Sequence, residues 1–238
     1  MQRIAVLISS TSNNAGWDGV DDVSFINETI SSLMSVKSYD IPYKFFIGVD
    51  HDDDFFIQHE DDLKGLLEKC GIDFELIFVE NPDHKPCPVW NNLFEIAYNQ
   101  GYEYFLQTGD DIQFLDPFDR EFIDYIESKD NLAIAGGVCD VNASIITQVF
   151  LHRSHMDVFG FLFPPELPDW GSDNWITATY TLFQRANKSQ NHKIKNSMIT
   201  WQKISSDRYV VSKNYHQAMN YCFDKYKSLL HEAINRSL

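Results

Sequence analysis

The stretch Tyr102 to Asp116, YEYFLQTGDDIQFLD, carries an apolar run into two adjacent carboxylates, Asp110 and Asp111, and then turns apolar again. Adjacent like charges repel unless a cation or open solvent relieves them. A divalent metal is one such relief, because Mg2+ and Mn2+ take hard oxygen ligands and typically use one or two carboxylates together with substrate phosphates. Gly-Asp-Asp also suits a solvated turn whose aspartate caps the helix beginning near Pro117. The residue types leave both readings open.

Other segments offer chemistry of their own. DHDDDFF sets Asp50, Asp52 and Asp54 at alternate positions, like the opening of a calcium-binding EF-hand loop. Phe55 stands where that loop needs its glycine, and Asp61 stands where it needs a bidentate glutamate. The segment therefore reads as an acidic loop in which Asp50 can contact a ligand and the later aspartates are mostly solvated. HKPCPVWNN puts Lys85 before, and Asn91 inside, the first turn of a helix after Pro88, a place that favours phosphate; Lys85 reads equally as a surface charge. In PDWGSDNWI, Asp173 lies at a helix start between Trp170 and Trp175, a setting that raises a carboxylate's pKa and makes it a useful base. Ser172 or Asp173 as a plain N-cap, with Trp175 in the core, is the alternative. The eight histidines do not cluster; His192 and His216 fall in the last third, where either can fold back over a site. No Walker loop, GxSxG, HExxH or GxGxxG occurs, which removes the commonest ATPase, esterase, zinc-protease and dinucleotide readings.

The elements that must position these residues alternate. RIAVLIS, YKFFIGV, FELIFVE and EYFLQT read as strands. Helical patterns fall near Phe25 to Val36, Asp61 to Cys70, Val89 to Gln100 and Phe118 to Glu127. That order predicts a mainly parallel sheet with helices on both faces. NLAIAGGV and IITQVFLHR follow as strands and SHMDVFG as a short helix, then the long loop FLFPPELPDWGS, a helix from about Asp173 to Phe183, and a C-terminal amphipathic helix. In an open α/β sheet, ligands bind beyond the carboxyl ends of the strands. That rule selects Ser9, Ser10 and Thr11 after the first strand, Asp50 after the second, and Asp110 and Asp111 after the fourth.

A length of 238 residues, 44% hydrophobic and 14% aromatic, is that of a globular chain. The net charge of -16 and a pI near 4.7, with no basic run, argue against a nucleic-acid partner. An anionic ligand then needs a bound cation or a local basic pocket. No segment reaches the length of a membrane span and no signal sequence is legible, so a soluble protein is expected. Cys70, Cys87, Cys139 and Cys222 show no CxxC or zinc spacing, and reduced thiols in a cytoplasm are the plainest reading. No linker separates domains: residues 1–238 read as one domain, with a nucleotide-binding half over about 1–115, an acceptor-binding half over about 116–213 and a helix over 214–238.

The combination resembles a GT-A glycosyltransferase. More narrowly, VWNNLFEIAYNQGYEYFLQTGDDIQFLD followed by TQVFLHRSHMDVFGFLFPPELPDWGSDNWI is similar to glycosyltransferase domains encoded by large DNA viruses, including algal viruses, over Arg3 to about Tyr209. The resemblance implies a GT-A (Rossmann-like) α/β fold and a UDP-linked sugar donor, its diphosphate neutralised by Mn2+ or Mg2+ at the acidic motif. Carried onto this chain, it makes Asp111 a metal ligand and sets Asp110 on the ribose or the metal's waters. Asp50 and the Ser9 to Thr11 loop hold the nucleoside, and His192 is a late metal ligand whose mixed N/O set would suit Mn2+. Asp173 is the base that deprotonates the acceptor in an inverting reaction. One departure stands out: the family pattern has two acids before the second tryptophan, and here the second position is Asn174.

The expectation is thus a metal-dependent glycosyltransferase of hexosyltransferase type, acting on a hydroxyl of a glycan or glycoprotein. Trp170 and Trp175 would wall a sugar ring or pack in the core. A metal-dependent nucleotidyltransferase or phosphohydrolase, and a catalytically silent sugar-nucleotide-binding domain, are the alternatives.

Overall fold

The apolar run IAVLIS forms β1 (Ile4–Ser9), buried on both sides, as a central parallel strand must be. Its side chains alternate: Ile4, Val6 and Ile8 enter one core with Phe25, Phe45 and Leu106, while Ala5 and Leu7 enter the other with Phe46, Leu93 and Phe105. The structure, a computed structural model, describes residues 2–197 and 212–237; the stretch 198–211, into which the family likeness extends as far as Tyr209, lies outside them.

β1 is flanked in parallel by β2 (Tyr43–Asp50) and β4 (Tyr104–Gly109), and β3 (Phe74–Val79) pairs in parallel with β2. The rest of one eight-stranded sheet, in the order β3-β2-β1-β4-β7-β6-β8-β5, comes from β5 (Ile112–Phe114), β6 (Ile134–Cys139), β7 (Val149–His152) and β8 (Ala186–Asn196). β7 runs antiparallel to β4 and β6, and β5 antiparallel to β8. The fold class expected from the alternation is the one found.

The helices are α1 (Ser31–Val36), α2 (Asp54–Gln58), α3 (Glu60–Lys69), α4 (Pro86–Asn99), α5 (Asp119–Glu127), α6 (Ser154–Phe159), α7 (Ser172–Leu182) and α8 (Tyr215–Ser237). α1 continues a π-helical turn over Phe25–Ile30, so the two together fill the span expected for one helix. β5, β8 and α2 were not foreseen. β8, ANKSQNHKIKN, is polar with Ser189, His192 and Ile194 turned inward, too few apolar residues to show an alternation. α2 interrupts the expected acidic loop because Asp53 caps it, accepting from the Phe56 N–H at 3.4 Å.

α4 is seated by one glycine. A Cβ on Gly48 would come within 2.4 Å of Val89 Cγ1 and 3.1 Å of Leu93, so only glycine lets this helix lie so close to β2. That close approach sets where the N-terminus of α4 falls, beside the carboxyl ends of the parallel strands. No helix among the described residues is long and apolar enough to cross a membrane.

Candidate active site

At the carboxyl end of β1, Ser9 is paired with Gly48 on one side and Gly109 on the other. The next residue, Ser10, is buried and donates its hydroxyl to Asp110 Oδ2 at 2.6 Å. Asp110 is buried as well, with 4% of its surface exposed, while Asp111 is half-buried. Gly109 gives room for the turn: a Cβ there would lie 2.9 Å from Asp111 Oδ1. The Asp111 carbonyl receives the Ser197 N–H at 2.8 Å and the Ser197 hydroxyl at 2.9 Å, which ties the acidic turn to the end of β8.

The loop after β1 is latched to the loop after β2. Asp53 accepts from Ser12 N–H at 2.8 Å, from the Ser12 hydroxyl at 2.6 Å and from Thr11 Oγ1 at 3.4 Å, and it caps α2. Asp53 was expected to be a solvated aspartate, and this corrects that. The capping signal was present, an aspartate one residue before a helical turn. Its second task, across 41 residues to Ser12, leaves no local trace.

Asp50 is buried and accepts from Asn81 Nδ2 at 2.6 Å, and it meets His84 Nδ1 at 2.9 Å. The other ring nitrogen of His84 faces Asp52 at 3.8 Å. Hydrogen bonding to Asp50 raises the His84 pKa, the neighbouring aspartates adding to it. Asp50, Asp52 and His84 present ligand atoms within 4.8 Å of one another, a donor set that fits a divalent metal. A protonated imidazole between the two carboxylates balances the same charge. Asp110 and Asp111 offer hard oxygen donors of the kind Mn2+ or Mg2+ takes, so the donor types of the expected pair, like those of this second cluster, suit such an ion.

From β3 onward a run of hydrogen bonds leads across the site. Asn81 Nδ2 also donates to the Lys85 carbonyl at 2.9 Å, and Lys85 Nζ donates to Asp169 Oδ2 at 2.8 Å. Lys85 was read as a phosphate contact or equally as a surface charge; its ammonium is instead mostly buried and seated on a carboxylate with no exposed surface. Asn91 is likewise corrected: its amide oxygen accepts from the N–H groups of Leu162 and Phe163 at 3.0 and 2.8 Å, and its nitrogen donates to the Phe163 carbonyl at 2.8 Å. It holds the proline-rich loop to α4, with both acceptor sites of its amide oxygen taken by that loop.

α7 begins without a side-chain cap. Its N-cap is Gly171, at φ 91, and the Ser172 hydroxyl turns back to the Asp169 carbonyl at 3.0 Å. Asp173, half-buried, is therefore not a cap, and burial pushes its carboxyl up to about 7. This is the range of a general base at neutral pH.

The two tryptophans part company. Trp175 is fully buried and packs against Phe159, Phe161 and Tyr226, so it is core and not a wall for a sugar. Trp170 is 39% exposed, edge-on to Tyr215 at 5.7 Å. His192 is also corrected. It sits in a bulge of β8, its Nε2 2.8 Å from Glu121 Oε2 on α5 and its ring against Phe122, and it joins no group able to hold a metal among the described residues. His216 is exposed at the start of α8, its ring 4.0 Å from Tyr215. Asn81, His84, Asp169 and Ser212, all engaged here, carried no sequence signal, because each acts on a partner far along the chain.

No protein-family model matches the sequence, and none of the curated proteins matches it. Among solved structures, the chain is similar to S. aureus TarS 1–349 in complex with UDP-GlcNAc, at a TM-score of 0.60 and 12% identity over 99% of this chain and 72% of that one. It is similar to GalNAc-T7 with UDP, GalNAc and Mn2+ at a TM-score of 0.63 and 12% identity, over 95% of this chain and 49% of that one. A protein of Desulfovibrio desulfuricans G20 described as a nucleotide-diphospho-sugar transferase matches at 0.50 and 12% identity over 98% of both chains. The chain spans 60% of TarS 1–349 in its UDP complex and 43% of the longer TarS chain. The fold shared with these proteins is GT-A.

Proposed function

We propose that this chain is a glycosyltransferase that moves a hexosyl group from a nucleoside-diphosphate donor, UDP-linked, to a hydroxyl of a glycan or glycoprotein, with inversion. The observation behind the reading is the hydrogen-bonded path Asp50–Asn81–Lys85–Asp169–Ser172, which links the end of β2 to the first residue of α7, one position before Asp173. The structural neighbours add to it: TarS has been solved with UDP-GlcNAc and GalNAc-T7 with UDP and Mn2+. The narrower likeness to virus-encoded enzymes rests on the sequence strings alone.

In this reading Asp50 and the Ser9 to Thr11 loop hold the nucleoside, and Asp110, fixed by Ser10, faces the ribose. Mn2+ or Mg2+ at Asp111 supplies the positive charge that a departing diphosphate needs. Asp173 accepts the proton of the acceptor hydroxyl while that oxygen forms its bond to the anomeric carbon and the bond to the diphosphate oxygen breaks. Trp170 offers an exposed aromatic face to the acceptor ring. The neutral Asn174 beside it leaves the proton to Asp173.

Incubation with a panel of UDP-sugars and Mn2+, with and without glycan acceptors, tests the proposal. Free UDP released only with acceptor is the expected result. Release of UDP without acceptor, or of UMP with sugar 1-phosphate, points instead to a hydrolase, and donor binding with no turnover to a silent binding domain.

A further inference from the structure

Asp169 lies in the loop before α7, its side chain without exposed surface. One carboxylate oxygen accepts from Lys85 Nζ at 2.8 Å, from Ser212 N–H at 3.0 Å and from the Ser212 hydroxyl at 2.8 Å; the other accepts from Trp170 N–H at 2.6 Å. Its backbone carbonyl takes the Ser172 hydroxyl at 3.0 Å and the Cys87 thiol at 3.6 Å, and the Pro168 carbonyl takes the Cys87 N–H at 3.0 Å.

Apart from the adjacent Trp170 N–H, these donors come from three separate places: the turn into α4, the first residue of α7 and the approach to α8. A buried carboxylate of this kind is costly to desolvate, and an apolar loop could join the same elements without that cost. Four charge-strengthened hydrogen bonds do what an apolar contact cannot, since they fix direction as well as distance. What they fix is the peptide that starts α7. Asp173 is one residue beyond Ser172, and no other hydrogen bond of its own side chain among the described residues holds its carboxyl in place.

We propose that Asp169 is a positioning residue for the transfer reaction: clamped by Lys85 and Ser212, it holds the first turn of α7 so that the Asp173 carboxyl faces the acceptor hydroxyl. The inference rests on Asp173 being the base, as read above. It differs from a general structural role in one respect, that Asp169 matters to turnover only through Asp173.

The test is a double-variant cycle on kcat. Asp169→Asn and the milder Ser172→Ala are each made in the wild-type chain and in Asp173→Asn, with UDP affinity measured by calorimetry on every variant. In the wild-type background Asp169→Asn lowers kcat by about 10- to 100-fold, the usual effect of displacing a reacting group by an ångström or so, and Ser172→Ala lowers it less. UDP affinity stays within about twofold, and in the Asp173→Asn background neither change lowers kcat further, because groups that act as a unit are not additive. Equal losses in both backgrounds, or a fall in UDP affinity that accounts for the loss, overturn the positioning role. If Asp169→Asn does not fold, Ser172→Ala decides by the same comparison. Full turnover by Asp173→Asn alone overturns the base reading itself, and that single variant shows the difference between the two failures.

Discussion

Ser10 and Asp110, 100 residues apart, meet at 2.6 Å where β1 and β4 end side by side, and both are buried. Parallel pairing of Ser9 with Gly109 puts the two next residues in reach of each other. The hydroxyl spares Asp110 part of the cost of burial and fixes the carboxylate's orientation. Ser10→Ala removes that donor. It is expected to destabilise the chain by about 1–3 kcal/mol, as for a buried group left short of a partner, and to weaken UDP binding. Chemical denaturation and calorimetry measure the two effects on one protein.

The two candidate metal sets are separable. Asp111→Asn is expected to abolish Mn2+-dependent binding of UDP while leaving the fold intact, since the neighbouring carboxylate then loses a like-charged partner. His84→Ala removes a donor from the Asp50, Asp52 and His84 cluster and is expected to leave Mn2+-dependent UDP affinity in place. The opposite pattern in titration calorimetry would move the metal to the end of β2.

Asp173 ties activity to a stability penalty. Its carboxyl holds a proton up to about pH 7 in the fold but only to about 3.8 when unfolded. Between those values the folded state binds more protons, so stability falls as pH rises through the window. Asp173→Asn is expected to lower kcat by a factor of about 10² to 10⁴ and yet to be more stable than wild type at pH 8 by about 1–2 kcal/mol. The stability difference closes below pH 4, where wild type carries the proton in both states. Wild-type kcat should fall with an acid limb near pH 7. Thermal melts at the two pH values and a pH–rate profile check these outcomes.

Trp170 and Trp175 should fail in different ways. Trp175→Ala opens a void beside Phe159, Phe161 and Tyr226 and is expected to cost about 3–5 kcal/mol, the usual range for a buried tryptophan. Trp170→Ala leaves the melting temperature nearly unchanged and raises the acceptor KM by about 3- to 10-fold, the loss of one aromatic contact. Melting curves together with acceptor kinetics distinguish the pair.

Local pattern in the chain was enough for the parallel half of the sheet. Continuous apolar runs marked β1 to β4, and with them the strand ends at which Ser10, Asp50 and Asp110 stand. Asp173 was legible as well, as an acid at a helix start between tryptophans. What local pattern could not supply was the partner of each polar group. Lys85, Asn91 and His192 are residue types that suit a phosphate or a metal, yet they are bound to Asp169, to the loop at Leu162 and Phe163, and to Glu121. The burial of Trp175 and the exposure of Trp170, five residues apart, follow from how α7 lies against α6 and α8. The Asp169 clamp joins residues 84 and 43 positions away, so its physics is that of buried charge, which exists only once the tertiary fold has excluded water around it.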